Sequence, residues 1–101
     1  MKMLVQVKLP LEPFNTMTKN GTVGKTIGRI LDETKPEAVY FTNYCGRRGA
    51  ILIVDLPDPS KVPFIAEPWF LAFNAELDFH IVMNPADLQR AGLEEIGKKW
   101  G

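Results

Sequence analysis

Two strand-like runs flank a turn near the middle of the chain, and this arrangement limits the fold more than any other feature. Residues 38–44 are rich in aromatic and β-branched side chains, and residues 50–56 form a dense aliphatic run. Between them stands Cys45-Gly46-Arg47-Arg48-Gly49, in which two glycines flank two arginines. A short glycine-containing segment between two such runs is typical of a β-hairpin. The centre of the protein is therefore predicted to be a pair of antiparallel strands.

The segments on either side of this hairpin predict two more strands and two helical regions. Residues 3–9 and 76–83 alternate between apolar and polar side chains, as half-buried strands do. Residues 22–34 carry an apolar stripe at helical spacing, and a short helix is expected within residues 11–20. A second helical region follows the hairpin. Residues 86–99 are expected to form one final helix.

This order of elements predicts an α+β protein made of a single domain, residues 1–101. Strand, helix, strand, strand, helix and strand form the ferredoxin-like βαββαβ plan, to which a C-terminal helix is added. Its four-stranded antiparallel sheet has the spatial order 4-1-3-2, with both main helices on one face. The aliphatic third strand alternates little, so we expect it to be central and covered on both faces. A second copy of the same sheet is the expected cover for the face without helices.

Two details of the helices are also predicted. Pro63 and Pro68 are expected to break the second helical region into short turns, because proline removes a helical hydrogen bond. Gly24 and Gly28 lie four residues apart beside the apolar stripe of the first helix. We expect them to let that helix pack close to the sheet.

Composition narrows the classes of function. Twelve basic and twelve acidic residues cancel, so no overall charge indicates nucleic acid or a membrane surface as a partner. The single cysteine, Cys45, excludes an internal disulfide and fits a reducing compartment. The N-terminal residues contain no uninterrupted apolar run typical of an export signal. A cytoplasmic protein without a membrane span is therefore expected.

Several phrases of the chain resemble a known superfamily. Residues Met3-Leu4-Val5-Gln6-Val7-Lys8-Leu9-Pro10, Val54-Asp55-Leu56-Pro57 and Pro68-Trp69-Phe70 resemble the small muconolactone isomerases. Lys35-Pro36-Glu37-Ala38-Val39-Tyr40-Phe41 and Arg48-Gly49-Ala50-Ile51-Leu52 are more similar to a group of short bacterial proteins. Both groups belong to the dimeric α+β barrel superfamily. The resemblance implies that two ferredoxin-like sheets pack face to face in a homodimer.

The fourth predicted strand carries the candidate catalytic residues. Leu77, Phe79 and Ile81 share one face, so Glu76, Asp78 and His80 share the other. In the predicted sheet the first strand is the antiparallel neighbour of the fourth. If Lys8 lies opposite Glu76, then Gln6 lies opposite Asp78, and all these groups face away from the helices.

Further candidates would bind a ligand rather than react with it. On the face without helices, apolar residues are expected among the polar ones; they are Leu4, Tyr40, Leu52, Val54 and Val82. The candidate ligand-binding residues are Gln6, Lys8, Tyr40 and Trp69, and Trp69 belongs to an aromatic cluster that forms either core or the lip of a cavity. Arg47 and Arg48 form either an anion clamp or a solvated turn.

A metal or haem centre is not expected, and no cofactor is predicted. Glu76, Asp78 and His80 alternate on one strand and would form only one wall of a metal site, and no second histidine exists. Two functions therefore remain open. One is a homodimeric α+β barrel that binds a small molecule at the sheet face. The other is an isomerase-like enzyme in which His80 or a carboxylate transfers a proton.

Overall fold

The central hairpin is present, and its turn is two residues long. In the computed structural model, which describes residues 1–101, the hairpin consists of β2 (Ala38–Tyr44) and β3 (Arg47–Asp55). Cys45 and Gly46 have φ angles of 49° and 76°. Positive φ at both central residues is the geometry of a type I′ turn, whose twist matches that of the flanking strands. Arg47 and Arg48 therefore belong to β3, and their expected place in the turn was wrong.

Two further strands complete a four-stranded antiparallel sheet. They are β1 (Lys2–Lys8) and β4 (Glu76–Ile81), and β1 pairs with both β3 and β4. The strand order is β2-β3-β1-β4, which reads 4-1-3-2 from the β4 edge. The chain is thus an α+β protein whose sheet and connections are compatible with a ferredoxin-like fold.

Helices cover one face of this sheet. The core joins Val5, Leu52 and their neighbours on that face to Ile30 of one helix and to Trp69 and Phe73 of another. None of the helices is both long enough and apolar enough to cross a membrane. The helices are α1 (Phe14–Lys19), α2 (Val23–Thr34), α3 (Val62–Phe73), α4 (Pro85–Arg90) and α5 (Leu93–Trp100), and a 3-10 turn (Pro59–Lys61) precedes α3.

The α3 helix is continuous, so the prediction that its prolines break it was wrong. Pro63 lies in the first turn, where a backbone N–H has no partner within the helix. Pro68 lies inside the helix and leaves the carbonyl of Phe64 without its helical donor. One lost hydrogen bond is offset because the same helix buries Ile65, Trp69 and Phe73.

Two other expectations about the helices were also wrong. No heavy atom outside the local helix lies within 4 Å of a Cβ built on Gly24 or Gly28, so these glycines do not mediate close packing. The C-terminal segment forms two helices rather than one, because Gly92 adopts a left-handed conformation with φ of 73°. Glycine reaches this conformation without the steric cost of a side chain.

The structure also reassigns the two faces of β3. Leu52 and Val54 are buried in the core, where they face the helices, so their expected place on the opposite face was wrong. Ile51 and Ile53 lie on the other face, which we call the helix-free face, and both are half-buried. Leu4 is their neighbour on this face, since it pairs directly with Ile53. Both inner strands therefore carry apolar side chains on a face that no helix covers.

This assignment makes Leu52 a test of the core. Leu52 is 1% exposed, so Leu52→Ala should lower the free energy of unfolding by about 2–5 kcal/mol. Arg47→Ala, at an exposed position of the same strand, should change it by less than about 0.5 kcal/mol. Denaturant melts at one protein concentration compare the two variants. Equal losses of stability would contradict the assignment of Leu52 to the core.

Candidate functional site

Polar side chains of β1 and β4 meet on the helix-free face in the predicted register. Lys8 pairs with Glu76 and Gln6 with Asp78, which confirms both expected pairings. Leu4 pairs with His80, so the third pair of β1 and β4 residues on this face combines an apolar and a titratable side chain. Since Val5 and Val7 are fully buried on the helix side, Leu4, Gln6 and Lys8 must point to the helix-free face.

Lys8 is held by an acidic and an aromatic partner. Its Nζ lies 2.8 Å from Oδ2 of Asp78, which is diagonal to it across the strand pair, and 4.7 Å from the centre of the Tyr44 ring. The hydrogen bond to Asp78, and then that to Tyr44, raise the pKa of Lys8 above its ordinary value. The same ammonium lowers the pKa of Asp78. Both groups are ionised at neutral pH, and their ion pair holds the Lys8 side chain at one end of the helix-free face.

The other predicted residues divide between the two sides of the sheet. Gln6, Ile51 and Tyr40 form one continuous cross-strand row on the helix-free face, and the Tyr40 side chain is 67% exposed. Glu76 and His80 are exposed on the same face at the β4 edge. The structure thus places all the predicted catalytic residues, and three of the four predicted ligand-binding residues, on one surface.

Trp69 is the exception. It is fully buried on the helix side of the sheet, with its ring 5.9 Å from that of Phe73, so it cannot reach a ligand on the helix-free face. Its indole Nε1 has no hydrogen-bond partner. Trp69 is therefore a core residue, which is one of the two roles predicted for its aromatic cluster.

A cavity of about 330 Å³ opens at the end of the sheet where β1 ends and β4 begins. The tip of the β2–β3 hairpin forms another of its walls. Its lining combines cations with few acids and includes Lys8, Tyr44, Arg47, Arg48 and Glu76, together with Leu9, Pro10, Cys45 and Asn74. Lys8 and Tyr44 also belong to the helix-free face, so the cavity is continuous with that surface.

The two arginines of the lining have different surroundings, because successive residues of β3 point to opposite faces of the sheet. Neither Arg47 nor Arg48 forms an ion pair with a carboxylate. Arg48 donates a hydrogen bond of 2.7 Å to Oδ1 of Asn15 and lies 4.3 Å from the centre of the Phe14 ring. These contacts hold its guanidinium against α1 on the helix side of the sheet, so Arg47 alone adds a guanidinium group to the face that carries Lys8 and Tyr44. The two roles predicted for Arg47, an anion clamp or a solvated turn, did not include its position on the same face as Lys8.

His80 and the cavity are separate in a single chain. His80 does not line the cavity, and it lies four residues along β4 from Glu76, which does. Four residues of a strand span about 13 Å. No group of three or more histidine, cysteine, aspartate or glutamate side chains converges to hold a metal ion. The site's chemistry in one chain is therefore that of cationic and hydrogen-bonding groups around a small cavity.

The fold and site together define a class of protein rather than an individual one. The chain is a small α+β domain with a helix-free face and with a cavity, lined by Lys8 and Arg47 among others, at one end of its sheet. No protein-family model matches the sequence, and no curated protein matches it significantly.

The Lys8–Asp78 pair makes a prediction about pH. An unfolded aspartate has a pKa of about 3.9, and in the folded protein Lys8 holds the pKa of Asp78 below its ordinary value. The pair should therefore stabilise the fold above about pH 4, and this contribution should disappear as the pH falls through the folded pKa. The stability advantage of the parent over Asp78→Asn should then shrink on acidification.

The matched control is Glu76→Gln. Glu76 lies on the same face and strand but forms no ion pair within 4.0 Å. Its stability difference from the parent should be smaller at neutral pH than that of Asp78→Asn. Urea melts between pH 2.5 and 7 compare the three proteins. An Asp78→Asn difference that stays constant over this range would show that the ion pair does not stabilise the fold.

Proposed function

We propose that the protein acts as a homodimer in which two helix-free faces pack against each other as a dimeric α+β barrel. The observation that carries the proposal is the apolar patch of Leu4, Ile51 and Ile53 on the inner strands. One-sided antiparallel sheets normally present polar side chains to water on the face that no helix covers. A second copy of the same face would remove this patch from water.

The strand order supports a dimer of this kind. If the two-fold axis runs parallel to the strands, the β4 edge of one protomer lies next to the β2 edge of its partner. Both edges carry unpaired backbone groups in a single chain, since each is the last strand of the sheet. Edge strands are normally covered or paired in folded proteins. The proposed dimer brings the two kinds of edge together around one closed interior.

The dimer is tested by placing a charge in the apolar patch. The parent should have twice the mass of the 11.4 kDa chain in light scattering coupled to gel filtration. Ile53→Asp should be monomeric at the same micromolar concentration, because it would bury a carboxylate without a partner. Leu71→Asp is the control, since Leu71 is 81% exposed on α3, away from this face. A monomeric parent, or a dimeric Ile53→Asp, would refute the proposed interface.

We further propose that the cavity at the end of the sheet binds a small organic anion that carries a carboxylate. Arg47 supplies a guanidinium group without an ion-pair partner, and its planar fork matches carboxylate geometry. Lys8 is already paired with Asp78, so it orients the wall of the cavity rather than supplying free charge. The apolar side chains of Leu9 and Pro10 offer contact to the remainder of the ligand.

Benzoate is a suitable probe of this cavity, because it combines a carboxylate with a small apolar ring. In an amide NMR titration it should shift resonances of Lys8, Tyr44 and Arg47. Arg47→Ala should weaken binding about tenfold or more, as expected for the loss of a charge-assisted hydrogen bond. Arg29→Ala, at an exposed position on α2, should leave binding unchanged. Equal binding of benzamidine, a cation of similar shape, would contradict an anion site.

The isomerase-type alternative stays a prediction. It needs His80 or a carboxylate beside a bound substrate, and His80 is exposed outside the cavity in a single chain. Asp78 already forms an ion pair with Lys8. The contacts within one chain therefore favour binding over proton transfer.

A further inference from the structure

The two C-terminal helices, which we call the C-terminal arm (residues 85–101), expose their apolar side chains. None of the residues of α4 or α5 is buried. Leu93, Ile96 and Trp100 are 58%, 47% and 79% exposed, and their spacing places them on one side of α5. A helix of eight residues is marginal in water without tertiary contacts. The apolar side of α5 therefore requires a packing partner.

The body of the same chain does not provide that partner. The chain measures 60 × 29 × 19 Å and has a radius of gyration of 17.1 Å. A compact chain of this length would have a radius of about 13 Å. Since the sheet and its helices form a packed body, the excess length comes from the arm. The arm extends away from its own core, so its apolar side is open to a second molecule.

The body of each protomer also carries an apolar cleft without an occupant. This cleft lies between α2 and the β2 edge, has a volume of about 330 Å³, and includes Leu9, Phe14, Ile27 and Phe41 in its walls. Phe41 is 52% exposed although it points toward the helix side of the sheet. Gly24 also lines the cleft, and the space beside it is open. The cleft can therefore accept large apolar side chains from outside.

The exposed charges of α2 and α5 have opposite order along the two helices. On α2, Lys25 and Arg29 precede Asp32 and Glu33, and all four are exposed. On α5, an acidic pair precedes a basic pair; these are Glu94, Glu95, Lys98 and Lys99. Two helices with these patterns attract each other when they lie side by side in parallel. In an antiparallel arrangement like charges would face each other.

We propose that α5 of each protomer packs in parallel beside α2 of its partner, with Leu93, Ile96 and Trp100 directed into the apolar cleft. The occupant of the cleft is thus a second copy of this chain. The inference rests on the proposed homodimer and adds to it a second contact surface, outside the packed sheets. The exchanged arms would tie the two protomers together at the β2 edge.

The single cysteine allows a direct test by intermolecular paramagnetic broadening. Cys45 is exposed and follows β2 directly, close in sequence to Thr42 and Gly49, which line the cleft. One sample is the full chain without isotope label, with a nitroxide attached to Cys45. The other sample is the ¹⁵N-labelled Cys45→Ser variant, which carries no nitroxide. In the mixed dimer, the nitroxide of one protomer should broaden the α5 amide signals of its partner.

The three outcomes separate the arm exchange from the dimer itself. Broadening that includes α5 supports the proposed exchange. Broadening confined to helix-free-face residues would mean that the dimer forms but its arms do not dock, which overturns this inference alone. No broadening between protomers at all would overturn the inference together with the proposed homodimer.

Charge reversal tests the parallel pairing. The double variant Glu94→Lys with Glu95→Lys should raise the dimer dissociation constant. The expected increase is about two- to fivefold for each ion pair lost between α5 and the partner's α2, as for exposed ion pairs. Adding Lys25→Glu and Arg29→Glu should restore it. Glu67→Lys, an exposed reversal on α3, is the control and should have no such effect. A failure of the compensating pair to restore the affinity would overturn the parallel arrangement.

Discussion

Apolar side chains on both faces of the inner strands are the constraint on which this structure depends. Leu52 and Ile53 are neighbours in β3, and alternation directs them to opposite sides of the sheet. The helices α2 and α3 cover only the side that contains Leu52. One chain can thus bury one face of its sheet, while the other face carries Leu4, Ile51 and Ile53 without a cover. The proposed dimer follows from this imbalance.

The sequence predicted those elements whose signal has a period of two. Alternation in residues 3–9 and 76–83 defined the faces of β1 and β4, and these faces agree with the observed pairing of Lys8 with Glu76. In residues 50–56 every position is apolar as far as Val54, so no alternation distinguishes Leu52 from Ile53. Leu52 was assigned to the wrong face because only the pairing with β1 decides which side of β3 is buried.

Other errors arose because tertiary contacts outweighed local preferences. Pro68 disfavours a helix locally, but burial of Ile65 before it and of Trp69 and Phe73 after it favours a continuous helix. The cationic cavity was missed because it depends on the length of the hairpin turn. A two-residue turn places Arg47 in β3 opposite Tyr44, on the same face of the sheet as Lys8. The aromatic cluster that contains Trp69 could be predicted as core or as the lip of a cavity, because residue type alone does not distinguish the two.

The direction of the C-terminal arm depends on the left-handed backbone conformation of Gly92. Its φ of 73° lies in the region that L-amino acids enter at a cost of roughly 1–2 kcal/mol. An added Cβ would meet no neighbouring atom, so the restriction comes from the backbone itself and not from crowding. A D-amino acid would adopt the same angle without strain, whereas an L-amino acid would follow this path only at that cost. The course of the last nine residues is thus set by the one encoded amino acid that has no chirality.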